Sequence, residues 1–315
     1  MAAKDLITLS RAKQDIQSIT DSSQDALLTT LITAVSDAIE KYCQRPFYSH
    51  SRDELYNGTG DRRLILREYP IQSIQSVRYR PVTVLKVINN SPSATIQQAR
   101  VSVLSNGLQL VSVAAGAATT TTAGLTWAAC PTLTSLANAI NALGSGWSAQ
   151  AVGDVGGDYG QWPSADLYVP PSYGDGTSSQ GNLTAMRQNA ELKMHTYELA
   201  GYQFDPRGWL LRAIPYTDPE LLHPEDLIWP IGINNFRVQY TAGYTTIPEA
   251  VQEACAEWVS RLYYLTLRDP DLTAQSISGS LSQRWDDRLG ALKPPANVAT
   301  LLAPYRRHTV ATNQG

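Results

Sequence analysis

The chain has four histidines, His50, His195, His223 and His308. Imidazole is a common metal ligand and a general base near neutral pH, so their spacing decides whether either chemistry is on offer. No two lie four apart on one helix, and none neighbours a cysteine, which are the patterns that hold zinc. Packed or solvated histidines are expected. Asp154, Asp158, Asp166 and Asp175 form a second group, in a stretch rich in Gly and Tyr. Carboxylates converging on one point would hold Ca²⁺ or cleave a glycosidic bond. The spacing lacks a twelve-residue calcium loop, so no metal and no cofactor is expected. Gly58-Thr59-Gly60 and Gly174-Asp175-Gly176 are fragments of a phosphate-cradling pattern. Neither has the third glycine or a helix opening behind it, so both read as turns. Cys43, Cys130 and Cys255 are far apart, and two of them fall on or beside apolar helical stripes. Buried free thiols are the expected state. No catalytic constellation emerges, and the chain is not expected to be an enzyme.

Tyr159, Trp162, Tyr168 and Tyr173 share the Asp-bearing stretch. Such rings stack on sugars, meet a protein partner, or pack a long loop onto its own lobe, and the sequence leaves these readings open. Asp286-Asp287 between Arg284 and Arg288 reads as a solvated helix face. At 315 residues, 43% hydrophobic and 17% charged, the chain can build two cored domains with a charge-poor surface. A net charge of -3 argues against a protein whose main task is gripping phosphate backbones. No apolar run reaches the ~18 residues of a membrane span. The opening MAAKDLITLSRAKQD lacks the apolar core of a signal peptide. Synthesis and folding in a reducing host cytoplasm are expected, with no membrane partner.

The elements that must position these residues are led by the stretch 246–269. Pro248 falls in the first helical turn, where its missing N–H costs nothing. Val251, Ala254, Cys255, Trp258, Val259, Leu262 and Leu265 recur at three- and four-residue steps and form one apolar stripe. Asp269-Pro270 stops the helix. A second helix, from the 19–23 turn to Arg45-Pro46, carries Leu28, Leu31, Ile32, Val35 and Ile39 on its stripe. The two stripes are expected to cover each other, with Asp21 and Gln24 as a loose capping box on the second helix. A short helix precedes it, capped by Ser10. Strands are read over 63–67 and 74–79, paired with each other. Phe236, Val238 and Tyr240 alternate with Arg237 and Gln239, as in a half-buried strand.

Between about Val87 and Ala190 the sequence has no Lys and no Glu. Val101 and Val103, then Leu108 and Leu110, flank Asn106-Gly107, a strong hairpin signal. Leu133–Leu143 reads as a short helix closed by Gly144, and Trp147–Val152 as a strand. Gly153–Gly181 reads as a long loop. Tyr202–Leu211 turns at Asp205-Pro206-Arg207-Gly208. Arg284–Leu292 is weakly helical, and Pro294-Pro295 opens a last short helix with Val298, Leu301 and Leu302. Tyr305-Arg306-Arg307-His308 follows as a short basic tail, too short to claim nucleic-acid binding.

The flanks of this region resemble one family. The carrying stretches are Leu6-Ile7-Thr8-Leu9, Ile19-Thr20-Asp21, Asp25-Ala26-Leu27-Leu28 and Ala38 to Phe47. They continue as Tyr56-Asn57-Gly58-Thr59-Gly60, Leu64-Ile65-Leu66 and Tyr69-Pro70-Ile71, then Val238 to Tyr244, Ile247 to Val251, and Leu301 to Arg307. In this order they resemble the head–tail connector proteins of tailed bacteriophages, also called adaptor or head-completion proteins. The resemblance covers about the first 80 and the last 120 residues. It implies an α+β fold: a small helical bundle with a β-strand extension, carrying here a large, mostly β inserted domain. The expected division is 1–86 with 201–292 as the core, 87–200 as the inserted lobe, and 293–315 as a C-terminal docking segment.

The resemblance further implies a structural virion protein at the head–tail junction. It would form a homo-oligomeric ring of twelve copies below the portal protein, extend the DNA channel and receive the tail (nozzle or tail-completion) protein. Double-stranded DNA would pass through without sequence-specific binding. Leu301, Leu302, Tyr305, Arg306 and Arg307 are the expected portal-docking residues, in a tail flexible by itself that orders in a partner's groove. The alternative is a carbohydrate- or host-surface-binding module carried by the inserted lobe.

Overall fold

A computed structural model describes residues 4–16, 21–90, 96–114, 116–154, 157–170, 190–212, 228–266, 274–277, 281–284 and 293–307. The helices are α1 (Leu9–Asp15), α2 (Asp25–Cys43), α3 (Leu133–Ala142), α4 (Glu249–Thr266) and α5 (Ala296–Leu302). The strands are β1 (His50–Gly58), β2 (Arg63–Ile65), β3 (Ile71–Asn89), β4 (Ile96–Leu104), β5 (Gly107–Ala114), β6 (Ala117–Thr121) and β7 (Trp147–Ala151). They continue as β8 (Gly153–Asp154), β9 (Gly157–Asp158), β10 (Ala190–Glu198), β11 (Tyr202–Asp205), β12 (Trp209–Arg212), β13 (Gly232–Ala242), β14 (Ala274–Ile277) and β15 (Leu281–Arg284). The protein is mixed α and β. It divides into two compact units, one of residues 1–50, 68–72 and 242–315, the other of 51–67 and 73–241.

The first unit is built on the two apolar stripes. Leu28, Ile32, Val35 and Ile39 of α2 share one buried cluster with Val251, Cys255, Trp258 and Val259 of α4. Leu31 and Leu262 pack at its margin. Each large side chain buried here contributes about 1.5–3 kcal/mol. Thr8, not Ser10, caps α1, accepting from the Arg11 N–H. Asp21 does not enter a capping box. Its carboxylate instead accepts the N–H and hydroxyl of Ser23, and Gln24 caps α2 without a side-chain bond. Gln44 ends α2 in the left-handed conformation and donates its N–H back to the last turn. Arg284 lies in β15, paired with Ala274 of β14; the rest of the expected 284–292 helix, with Asp286 and Asp287, is outside the described residues.

The second unit contains a sheet ordered β1-β13-β3-β10, with β7 also on β3. β3 runs unbroken through 71–89, across the composition change at 86/87. The Asn106-Gly107 turn closes the β4–β5 hairpin, with Leu104 opposite Gly107 and Val103 opposite Leu108. Val101, Val103, Leu108 and Leu110 meet Leu133, Leu136 and Ile140 of α3, and Leu85 and Leu192 of the large sheet, in one core. α3 has the capping box the earlier helices lack, between Thr132 and Ser135.

The expected pairing of 63–67 with 74–79 does not occur. β2 pairs with β12, Leu64 opposite Leu210, and β3 lies between β13 and β10. Burial decides this: Leu64 and Leu210 are both enclosed, whereas a local hairpin would leave β3 without its longer partners. The strand over Phe236–Tyr240 is present within β13, and its Arg237 is only 2% exposed.

Candidate functional site

Pro295 has the extended conformation that admits the chain to α5, and its carbonyl accepts from Ala299 N–H at 2.8 Å. α5 is amphipathic over two turns. Val298 and Leu302 are wholly buried in the α2–α4 cluster, and Leu301 and Tyr305 pack at its margin. A single 3₁₀ turn follows over 303–305, with Pro304 at its centre. This turn delivers the Tyr305 ring edge-on to Phe47 at 6.1 Å and to Tyr244 at 6.5 Å. Arg45, buried beneath, lies over Tyr69 at 4.1 Å, with Phe47 and Tyr244 at 5.5 and 5.4 Å, and donates to the Tyr69 carbonyl. A guanidinium against several aromatic faces gains cation–π attraction where water is scarce. The Arg307 N–H closes the seam on the Cys43 carbonyl at 2.9 Å. Arg306 is exposed and lies over Tyr42 at 5.3 Å.

The structure therefore brings the five expected docking residues together, but on the chain's own helical unit. The segment through Arg307 is not a detached tail. Apolar spacing in the sequence showed that 298–302 is helical; it could not show whether the covering surface was this chain or another. His308 and the residues after it are outside the described residues.

The Asp-bearing loop has a structural occupation. Asp158 accepts the Gly160 N–H at 2.8 Å, and Asp166 takes Arg78 at 2.7 Å. Arg237 donates through Nε and Nη2 to the two oxygens of Asp53, at 2.8 and 2.7 Å. Its Nη1 reaches the Asp166 carbonyl at 2.7 Å, and Nη2 the Tyr168 carbonyl at 3.2 Å. Asp53 also accepts Gln239 at 2.9 Å. Arg237 thus fastens the 159–170 loop to the large sheet, a role that period-two alternation concealed. Its pairing with Asp53 works against burial and holds the guanidinium above its usual pKa. Tyr159, Trp162 and Tyr168 are half-buried on the lobe's core, the first two edge-to-face at 5.5 Å. Tyr173 and Asp175, and the side chain of Asp154, lie outside the described residues.

His195 is enclosed in β10, and its Nε2 lies 2.8 Å from the Asn234 carbonyl, so Nε2 carries the proton. Burial depresses its pKa to about 4. Near neutrality it is a packed, neutral imidazole. His50 places Nδ1 2.8 Å from the Tyr48 carbonyl. His223 lies outside the described residues. Burial pushes the Cys43 thiol up to about 11 and the Cys255 thiol to about 12. All three cysteines are free and buried. Neutral thiols of this kind are inert toward exchange and metal. Among the described residues no group of three His, Cys, Asp or Glu could hold a metal ion, and no helix is long and apolar enough to cross a membrane.

A cleft of about 420 Å³ is lined by Ser51, Arg52, Asp53 and Glu54 of β1 with Gln75, Pro170 and Gln239. Both carboxylates are already engaged, Asp53 by Arg237 and Glu54 by the Tyr56 and Tyr240 hydroxyls. The cleft offers neither a free acid nor a base to a substrate.

Comparison with known proteins gives one family match: residues 5–134 fit the family described as head completion protein. No match is found among curated proteins. Three chains of solved structures match. One is from the structure described as "Neck of empty GTA particle computed with C6 symmetry", with 10% identity and a TM-score of 0.36, over 98% of this chain and 94% of that one.

Proposed function

We propose that the chain is a head-to-tail adaptor of a phage-like particle. In this reading its copies form a ring of about twelve under the portal, extend the DNA channel and receive the tail. A single observation carries the proposal: the head completion family match spans 5–134, which takes in α1, α2, β1–β6 and the first residues of α3. The stretches at Val238–Tyr244, Ile247–Val251 and Leu301–Arg307 extend the same resemblance past that range. The residues themselves support a structural role. Asp158 and Asp166 are engaged in loop and sheet contacts, the described cysteines are buried, and the cleft carboxylates Asp53 and Glu54 are already paired. Duplex DNA would be a passenger in the lumen, and no membrane takes part.

Portal docking falls to the 294–307 segment, with a changed mechanism. Leu302 is fully covered by its own chain, so it can meet a portal groove only after α5 leaves its seat. Arg306 and the outward sides of Leu301 and Tyr305 are available where they stand. The test is the native mass of the cognate portal ring before and after addition of the purified chain. Uptake of about twelve copies, cooperative because the contacts are multivalent, is the expected result; no gain in mass would overturn the adaptor reading. Repeating the measurement without residues 294–315 should abolish uptake.

A further inference from the structure

The sheet β11–β12–β2 turns one face inward through Leu64 and Leu210, 2% and 0% exposed. Its other face is unusual for a solvated surface. Trp209 stands opposite Ile65 and Leu211 opposite Arg63, so these four side chains share one side. Ile65 is 63% exposed. Two guanidinium groups, of Arg63 and Arg207, each lie 4.9 Å from the Trp209 ring. Arg207 also forks onto the Asp205 carboxylate; Arg63 is exposed, as is Arg62 next to it in the chain. An apolar centre of Ile65, Trp209 and Leu211 is thus rimmed by cations. Trp and Arg dominate interface hot spots, and an arginine stacked on a ring keeps its N–H edge for a carboxylate.

The helical unit carries the complementary charge. Arg11 reaches Glu249 at 3.3 Å and Glu253 at 2.5 Å, and Lys13 pairs with Asp25. Asp15 lies on α1 itself, and Lys13 also donates to the Asp21 carbonyl at 2.7 Å. Around Arg11 two carboxylates, Glu249 and Glu253, outnumber the one cation, whereas Lys13 and Asp25 balance each other. The Glu249 and Glu253 side chains remain 73% and 50% exposed.

We propose that these two patches meet between neighbouring copies of the chain, Arg62, Arg63 and Trp209 of one against Glu249 and Glu253 of the next. The occupant is a second copy because both halves of the charge match belong to this chain. A contact between two different patches repeats head to tail, and closes a ring when the rotation allows. Duplex DNA fits the basic face poorly. Asp61 and Asp205 sit among the arginines, and a phosphate backbone has nothing to offer Ile65 or Leu211. The inference rests on the ring reading above and names the contact that builds it.

The test uses full-length chains and the cognate portal ring, with R62E/R63E, E249K/E253K and the four-fold combination. Each surface pair is worth little to folding, and thermal melts confirm that the variants fold. Each double reversal should raise the concentration needed for half-loading about tenfold, and the combination should restore it. Full loading by R62E/R63E, or loss that the combination does not restore, overturns the proposal. So does loss of binding to a short DNA duplex by R62E/R63E with loading unchanged. If the unaltered chain does not load at all, the portal reading has failed, and the contact is tested without portal. Sedimentation of the same four chains at low salt should then show self-association lost in each double reversal and regained in the combination; association indifferent to these charges, or absent, overturns the inference.

Discussion

Arg237 is the residue on which the second unit's polar interior depends. It places one charge against Asp53 and two carbonyls of the 159–170 loop, in a site where an unpaired carboxylate is expensive. Breaking a buried pair from one side costs about 3–5 kcal/mol. Arg237→Met should therefore lower the urea midpoint of the second unit by a corresponding amount. Asp53→Asn should lower it by less, because the introduced amide still hydrogen-bonds to its neighbours. An unchanged midpoint in Arg237→Met would mean that the loop is held by its apolar contacts alone. His195 gives a pH signature. Its folded pKa is lowered to about 4 from the usual 6.5, so the unfolded chain takes up a proton first as pH falls. The stability it leaves in place above pH 6.5 is lost progressively down to about pH 4, on the order of 3 kcal/mol in total. Denaturation at a series of pH values should show this slope, and His195→Gln should flatten it.

At the scale of elements, the last short helix is the informative one. Seven residues are too few to be a helix unaided, so α5 exists because Val298 and Leu302 are covered by α2 and α4. Leu302→Ala should cost about 2–5 kcal/mol, and it should loosen the Tyr305 contact with Phe47 and Tyr244. Its effect on portal loading separates two mechanisms. If α5 must leave its seat to dock, a variant that seats weakly is released more easily and should lose less loading than stability alone suggests. If α5 docks where it stands, loading and stability should fall together. The measurement is half-loading concentration against melting temperature for Leu302→Ala and Arg306→Ala; the latter should reduce loading and leave the melt unchanged, because Arg306 is exposed.

For the whole molecule, the two units divide the labour that the proposal assigns. The helical unit holds the C-terminal segment and the acidic patch, while the larger unit holds the basic, tryptophan-centred face. A ring built from the contact of these patches should weaken with salt, because exposed charges beyond about 8 Å are screened at physiological ionic strength. Loading measured from low to high salt should fall steeply for the unaltered chain and much less for the double reversals.

Sequence alone determined the elements whose signals are local. The α2 and α4 stripes, the Asn106-Gly107 hairpin, the α3 stretch closed by Gly144, and the Asp205–Gly208 turn are read directly, because each depends on side-chain period or turn chemistry within a few residues. So were the fates of Cys43 and Cys255, which follow from their places on apolar stripes. Tertiary structure decided what local signals cannot encode. β2 chose β12 over β3 because burial of Leu64 against Leu210 outweighs nearness in sequence. Arg237 went inward although its strand alternates as a half-buried one does, because Asp53 and the loop carbonyls meet its charge from distant parts of the chain. The segment ending at Arg307 looked like a free docking peptide, since exposed and covered apolar residues are spelled identically. Only the α2–α4 surface, assembled from distant parts of the chain, decides which they are.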